Sequence, residues 1–150
     1  CDLRFAAAGA KFTTAFVRRG LVAEHGSAWL LPRLVGHSVA LDLLLSGRVS
    51  LAEEALTLGI VNRVLSPDTL LPETLAYARE LATQCSPAAM AEVKQQVYAA
   101  WGEALDASVA DANRRMAASF VRPDFKEGVR SFVEKRPPAF PPLPAKGRSS

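Results

Sequence analysis

The sequence predicts an α/β protein that is α+β-like and rich in helix, with strands only in about its first 65 residues. Short apolar segments bounded by turn residues, the pattern of strands, occur at residues 3–6 and 60–65. From residue 69 onward, apolar residues recur at spacings of three and four, the period of an amphipathic helix. Hydrophobic residues make up 49% and charged residues 22% of the chain, which is ordinary for a globular protein.

The first predicted elements are a strand, an irregular stretch and a helix. Residues 3–6 predict a short buried strand, followed by a turn at "AGAK". Residues 12–25 predict an irregular segment that contains a short helical turn. Residues 26–35 predict a helix in which Pro32 either kinks the interior or marks the last turn, and Gly36 suits its C-terminal cap.

Two further helices and a strand complete the front part. The segment "HSVALDLLLSG" predicts a helix ending at Gly47, and its leucines are too dense for one face, so we expect burial on most sides. The segment "SLAEEALTLG" predicts a helix that begins at Ser50, with Glu53 in the capping-box position. The segment "IVNRVL" predicts the second strand.

The rest of the chain is predicted to be helical up to a proline-rich tail. Four helices are expected, at residues 69–84, 87–101, about 103–120 and, restarting at Pro123-Asp124, up to about residue 134. Ser86 and Pro87 form a good helix start, and Asp124 and Glu127 stand in a capping relation. Alanine-rich faces allow close helix packing and suit an oligomer interface equally well. The tail is expected to be extended or disordered.

Charge and cysteine content narrow the classes of function. The net charge of +3 is too small to indicate nucleic-acid binding, although basic residues crowd the last quarter of the chain. They are Lys126, Arg130, Lys135, Arg136, Lys146 and Arg148. Cys1 and Cys85 have no metal or redox spacing, which favours a reducing cytoplasm. No apolar run approaches the ~20 residues that span a bilayer, so we expect neither a membrane nor a nucleic acid as partner.

Several sequence blocks follow one another in a fixed order. They are "CD" with a strand and "A..AKF", then "GL...HG....LPRLVG", then "ALDLLLSGR.S.AEEAL.LGIVNRV", and finally "F..GV.SFVEKR.P.F". In this order and spacing, up to Phe140, they resemble the C-terminal half of the enoyl-CoA hydratase/isomerase (crotonase) family. The resemblance implies the C-terminal part of a crotonase ββα spiral, followed by a helical trimerisation region.

The family resemblance implies a division of the chain and a substrate. Residues 1–65 correspond to the spiral core, residues 66–136 to the oligomerisation region, and residues 137–150 to the proline-rich tail. It implies an acyl-CoA thioester as substrate in fatty-acid metabolism, with no metal and no further cofactor. It also implies a homo-oligomer, either a trimer or a hexamer.

The resemblance further implies enolate chemistry, in which two backbone N–H groups hold the oxyanion. In the family, these groups and the first catalytic glutamate lie ahead of the position of Cys1. The chain also lacks an initiator Met and opens within a predicted strand, so we expect a fragment. Phe16 stands where family hydratases have their second catalytic glutamate, and a phenyl ring cannot transfer a proton.

Glu24 and His25 are the candidate catalytic residues. In some family members, dienoyl-CoA isomerases among them, an acidic residue emerges from the loop before this helix, and the resemblance places it at Glu24. Apolar neighbours would desolvate its carboxyl and raise the pKa, whereas a nearby helix start favours the anion. Capping of the helix is the competing role for Glu24. His25 either hydrogen-bonds locally within the loop, or orients Glu24 or lines the acyl pocket.

Phe132 and Lys135 are the candidate CoA-binding residues. In the family, the matching Phe and Lys reach the adenine and phosphate end of CoA in an adjacent subunit. An aromatic ring suits a purine face and an ammonium suits a phosphate, although a helical Phe is often a core residue.

Two function classes therefore compete. The first is an acyl-CoA hydratase or isomerase that uses Glu24. The second is a catalytically inactive crotonase-like remnant that serves as an assembly or interaction module, which Phe16 favours. In either case, the open edges and apolar face of strand 3–6 predict that the isolated chain aggregates or self-associates through residues 1–16 and the helical region.

Overall fold

The structure, a computed structural model, describes residues 1–143 and divides into two compact units. The first unit is Cys1–Leu75, and the second begins at Ala76. The first unit contains β1 (Phe5–Ala7), β2 (Lys11–Phe12), α1 (Ser27–Val35), α2 (His37–Ser46), β3 (Ser50–Leu51), α3 (Ala52–Thr57) and β4 (Arg63–Leu65). Longer helices follow: α4 (Pro67–Gln84), α5 (Pro87–Ala100), α6 (Leu105–Ser119) and α7 (Pro123–Glu134). The predicted helix-rich α/β class is confirmed, while the predicted boundaries at residues 65 and 136 stay predictions.

The strands form two separate pairs. β1 pairs in parallel with β4, with Ala6 opposite Val64. β2 pairs in antiparallel fashion with β3, with Phe12 opposite Ser50. The two predicted strands are thus confirmed as β1 and β4, and they lie side by side. The β2–β3 pair was not predicted, because strands of two residues are too short to show a period of two.

Small side chains make up the core of the first unit. Ala6, Ala52, Ala55 and Val61 are buried, and partly buried apolar residues pack against them. These side chains allow α3 to lie close to β1 and β4, so that a short helix is held by tertiary contact rather than by its own length.

Helix α2 is less buried than its composition predicts. Its buried residues are Ala40 and Leu43, whereas Leu45 is 70% exposed. The prediction of burial on most sides is therefore wrong for the described residues. A dense run of leucines shows that a helix has several apolar faces, but burial also needs a packing partner for each face.

The helix starts test three local predictions. The side chain of Ser86 accepts a hydrogen bond from the N–H of Ala89 at 3.0 Å, which confirms the start of α5. The predicted capping box at Ser50 is wrong: Ser50 is buried in β3, and α3 begins one residue after Leu51 instead. The predicted capping role of Asp124 is also wrong. Its carboxylate accepts from the hydroxyl of Ser86, while Arg122 is the N-cap of α7.

Among the residues that the structure describes, no helix combines the length and apolar character needed to cross a membrane.

Candidate functional site

The loop before α1 places Glu24 and His25 side by side. Glu24 Oε2 lies 3.5 Å from His25 Nε2, so the contact is electrostatic rather than a short hydrogen bond. The Glu24 side chain is 44% exposed and the His25 side chain 89% exposed. Both groups can therefore meet a solute, and protonation of the imidazole would give the carboxylate a positive neighbour.

The backbone of this loop explains where the two side chains lie. His25 has a positive φ of 54°, which is uncommon for a residue with a Cβ, and Gly26 follows with φ 73°. The carbonyl of Glu24 accepts from the N–H of Ser27 at 3.0 Å and from its hydroxyl at 2.7 Å. The main chain of Glu24 thus helps to begin α1, while Gly26 takes the N-cap position and the carboxyl points to His25.

The expected burial of Glu24 is not observed in residues 1–143. Leu21 and Val22, which were expected to desolvate the carboxyl, are themselves exposed, as is Trp29. The centre of the Trp29 ring instead lies 3.9 Å from the guanidinium carbon of Arg33. The sequence neighbours of Glu24 are apolar, but in this chain they do not enclose it.

The segment that leads to this loop is anchored on α2. Thr14 donates from its hydroxyl to the carbonyl of Leu43 at 2.6 Å, and Arg18 donates from Nε to the carbonyl of Ser46 at 2.8 Å. Between them, the carbonyl of Phe16 accepts from the N–H groups of Arg19 and Leu21. Nothing in the local sequence predicted these anchors, because the hydroxyl and guanidinium partners lie 29 and 28 residues away.

Phe132 and Lys135 lie together in the last turn of α7. The Phe132 side chain is 84% exposed, and Lys135 is the C-terminal cap with φ 53°. The N–H of Lys135 donates to the carbonyl of Phe132 at 3.3 Å. This pair belongs to the second unit, whereas Glu24 and His25 belong to the first.

An ion pair between Glu127 and Arg136 fixes the segment that follows α7. Arg136 donates two hydrogen bonds to the carboxylate of Glu127, at 2.6 and 3.0 Å, and the N–H of Ala139 donates to the same group at 2.8 Å. The bonds from Arg136, and then that from Ala139, lower the pKa of Glu127 to about 2. Of the basic residues noted in the last quarter of the sequence, Lys146 and Arg148 lie outside the described residues.

An apolar groove of about 700 Å³ runs along the second unit. Its apolar lining comes from α5, α6, α7 and the following segment, and includes Phe132 and Phe140. The charged residue Glu92 also lines the groove. Its carboxylate accepts hydrogen bonds from Arg122 at 2.8 Å and from Arg115 at 2.5 Å. These two bonds, first that from Arg122 and then that from Arg115, lower the pKa of Glu92. This cluster was missed from the sequence, since its members are 23 and 30 residues apart. Within residues 1–143, no three His, Cys, Asp or Glu side chains gather as a metal ion requires.

Comparison with known proteins identifies the family of this chain. A sequence model described as enoyl-CoA hydratase/isomerase matches residues 1–142. The chain belongs to the enoyl-CoA hydratase/isomerase family.

Individual members of the enoyl-CoA hydratase/isomerase family agree with this assignment. The chain is 36% identical over 140 residues to a probable enoyl-CoA hydratase of Mycobacterium leprae, and the aligned region covers 93% of this chain and 54% of that protein. It is 37% identical over 142 residues to a 1,2-epoxyphenylacetyl-CoA isomerase of Escherichia coli, covering 93% of this chain and 53% of that protein.

Solved structures of the family share the fold. A probable enoyl-CoA hydratase/isomerase from Mycobacterium abscessus has a TM-score of 0.90 and 31% identity, over 94% of this chain and 55% of that chain. The crotonase fold implied by the sequence blocks is thereby confirmed. The chain spans about half the length of the relatives that it matches.

Proposed function

We propose that this chain is part of an enzyme that acts on an acyl-CoA thioester by enolate chemistry, as a hydratase or an isomerase. Family membership supports the class of substrate. One similar protein is named a hydratase and another an isomerase of a CoA ester. Both names are compatible with a reaction that moves a proton close to a thioester carbonyl.

The placement of Glu24 carries this proposal. Its carboxylate is accessible, lies on a loop fixed by the start of α1, and has an imidazole 3.5 Å away. In an isomerase, a carboxylate so placed accepts a proton from a carbon near the thioester, and the electron pair moves onto the thioester oxygen. In a hydratase, it accepts a proton from the water whose oxygen bonds to the β-carbon, and the electrons of the double bond move onto the thioester oxygen. The carboxylic acid then returns the proton at a different atom. The N–H donors that would hold the oxyanion come, in this proposal, from outside these 150 residues.

The end of α7 supports a role in holding the nucleotide part of CoA. Phe132 offers an exposed aromatic face, and Lys135 places an ammonium three residues further on. A purine stacks on the first and a phosphate pairs with the second. The predicted trimer or hexamer, in which this end would serve a neighbouring subunit, is part of the same proposal.

The test is Glu24→Gln in the full-length product of the gene, assayed on enoyl-CoA substrates. Loss of a general acid/base lowers kcat by about 10²- to 10⁴-fold. Glu73→Gln, an exposed change of the same kind on α4, is the matched control and leaves turnover unchanged. Turnover of the Glu24 variant within about threefold of the wild type would show that Glu24 is not the acid/base.

A second candidate function is a catalytically inactive assembly module, and Phe16 is the observation that favours it. Family hydratases are expected to carry a glutamate at this position, and Phe16 is instead a half-buried residue of the turn anchored on α2. Titration of the chain with acetyl-CoA distinguishes the two functions. Binding in the micromolar range favours the enzyme, and no binding together with association to related subunits favours the module.

A further inference from the structure

Helix α7 ends at a residue that is unusual for its backbone conformation. Lys135 adopts φ 53° and ψ 41°, in the left-handed region. Glycine is the common residue at this point of a helix end, because a Cβ crowds the following carbonyl. A lysine here needs contacts that hold it in place, and it also brings a charged side chain to the point where the helix stops.

The backbone contacts at this end are those of a closed helix terminus. The N–H of Lys135 donates to the carbonyl of Phe132 at 3.3 Å, and the N–H of Arg136 donates to that of Ser131 at 3.1 Å. Ser131 is buried, so the second of these bonds is attached to a fixed part of the helix. This pattern sets the position of Lys135 relative to Phe132.

The side chains of Glu127 and Arg136 form hydrogen bonds that hold the same C-terminal turn of α7 in place. The carboxylate of Glu127, 16% exposed, accepts both bonds from Arg136 and a third from the N–H of Ala139. One carboxylate therefore fixes two points of the chain after Lys135. Arg136 also contacts Glu134 at 2.6 Å, so two carboxylates neutralise its guanidinium. Within residues 1–143 Lys135 forms no ion pair, so an arriving phosphate would meet the ammonium of Lys135 rather than the neutralised guanidinium of Arg136.

We propose that Glu127 and Arg136 are a positioning pair that holds Lys135 in its left-handed conformation, and so aligns its ammonium with the ring of Phe132 for one nucleotide. This inference rests on the proposed role of Phe132 and Lys135 in binding the nucleotide part of CoA. Glu127 and Arg136 need not touch the ligand. Without the pair, the backbone of Lys135 relaxes to a commoner conformation and the ammonium moves away from the ring.

The first experiment is a double-mutant cycle on coenzyme A binding, measured by calorimetric titration of the full-length product of the gene. Glu127→Gln weakens binding about five- to tenfold when Lys135 is present, but less than about twofold in the Lys135→Ala background. A merely structural role would give the same loss in both backgrounds, and that result overturns the inference. Glu73→Gln, which removes the same charge from an exposed position on α4, leaves binding unchanged.

The second experiment needs no ligand. The hydrogen-exchange rate of the Arg136 amide reports whether the turn is closed. Glu127→Gln and Arg136→Gln each raise this rate at least about tenfold, while the amides in the middle of α7 keep theirs. Unchanged exchange at Arg136 overturns the positioning pair, whatever the variants do to binding.

Together the two experiments separate this inference from the proposed function on which it rests. Faster exchange in the variants, with no coenzyme A binding by the full-length wild-type protein, overturns the nucleotide role of Phe132 and Lys135, and the inference falls with it. Coenzyme A binding that weakens in Lys135→Ala but not in Glu127→Gln overturns the positioning pair alone.

Discussion

The hydroxyl of Thr14 donates a 2.6 Å hydrogen bond to the backbone carbonyl of Leu43, in the last turn of α2. Neighbouring side chains act in the same way: Thr13 donates to the carbonyl of Gly47 at 3.0 Å and Arg18 to that of Ser46 at 2.8 Å. The last carbonyls of a helix have spare acceptor capacity, and the carbonyl of Leu43 accepts in addition from the N–H of the cap residue Gly47, at 3.1 Å. The segment before the Glu24 loop thus supplies donors to the end of α2, and its own position is fixed in return.

Thr14→Val tests this anchor. The substitution keeps the shape of the side chain but removes the donor, and leaves the carbonyl of Leu43 with the hydrogen bond from the N–H of Gly47. We expect a loss of about 0.5–1.5 kcal/mol in the free energy of unfolding, the net value of one hydrogen bond, measured by urea denaturation. Thr83→Val is the control, because the hydroxyl of Thr83 bonds to Arg79 within its own exposed helical turn. An equal loss for the two substitutions would show that the hydrogen bond to Leu43 contributes no more to the free energy of unfolding than a bond within an exposed helical turn.

The helix caps show what local sequence can and cannot predict. The bond between Ser86 and Ala89 spans three residues, so the order Ser-Pro is enough to predict it. Ser50 and Glu53 have an equally good local pattern, but the pattern is overridden. Ser50 pairs with Phe12 in the sheet, and the carboxylate of Glu53 accepts from the N–H of Gly9 at 3.2 Å. Both partners are about forty residues away, beyond the reach of a capping rule.

In the candidate site, too, contacts between residues close in sequence could be predicted, whereas contacts between distant residues could not. Glu24 with His25, and Phe132 with Lys135, are close in sequence, so the structure could hardly separate the members of either pair. The link between Glu92 and Arg115 joins two helices, and no local period encodes it. Burial was also beyond prediction, since the exposure of Glu24 depends on which surfaces cover the loop rather than on its sequence neighbours.

Gly128→Ala is expected to stabilise the second unit. Gly128 lies inside α7, where glycine costs about 0.5–1 kcal/mol relative to alanine. A Cβ added there would lie 3.8 Å from Cε1 of Phe140, which is an ordinary van der Waals contact. The expected gain is therefore about 0.5–1 kcal/mol in the free energy of unfolding, measured by thermal or urea denaturation.

Gly47→Ala is the matched comparison, and we expect it to lower the free energy of unfolding rather than raise it. Gly47 has φ 55°, and an added Cβ would come within 3.2 Å of Cγ of Arg18, whose Nε is already bonded to Ser46. We expect a loss of about 1–2 kcal/mol, because a Cβ is strained in this backbone region even before the crowding. Similar effects of the two substitutions would contradict the local geometry described for α2 and α7.

Stability at low pH should depend on Glu127. Its pKa falls from 4.5 to about 2 on folding, because Arg136 and the N–H of Ala139 bind the ionised carboxylate. A carboxyl with a depressed pKa contributes stability above its unfolded value, and this contribution disappears as the pH falls toward the folded value. We therefore expect the stability difference between wild type and Glu127→Gln to be constant above pH 4.5 and to shrink between pH 4.5 and about 2.

Thermal unfolding of both proteins across this pH range measures that difference. The comparison with Glu127→Gln is essential, since Glu54, Glu92 and Asp111 also have lowered pKa values and destabilise both proteins on acidification. Subtraction removes their shared effect. A difference that stays constant down to pH 2 would mean that the carboxylate of Glu127 is not held by Arg136 in solution.

The isolated chain is expected to self-associate through its exposed apolar side chains. Leu45 on α2 is 70% exposed and Val22 in the Glu24 loop is 79% exposed, and further large apolar residues are exposed in both units. Covering such surface gains about 25 cal/mol for each Å² removed from water, which drives association whenever two apolar faces fit. Sedimentation velocity at micromolar concentration should show species larger than the monomer, and Leu45→Glu should shift the distribution toward the monomer. A compact and monodisperse wild-type monomer would contradict this, because the exposed side chains would then be tolerated in water without a partner.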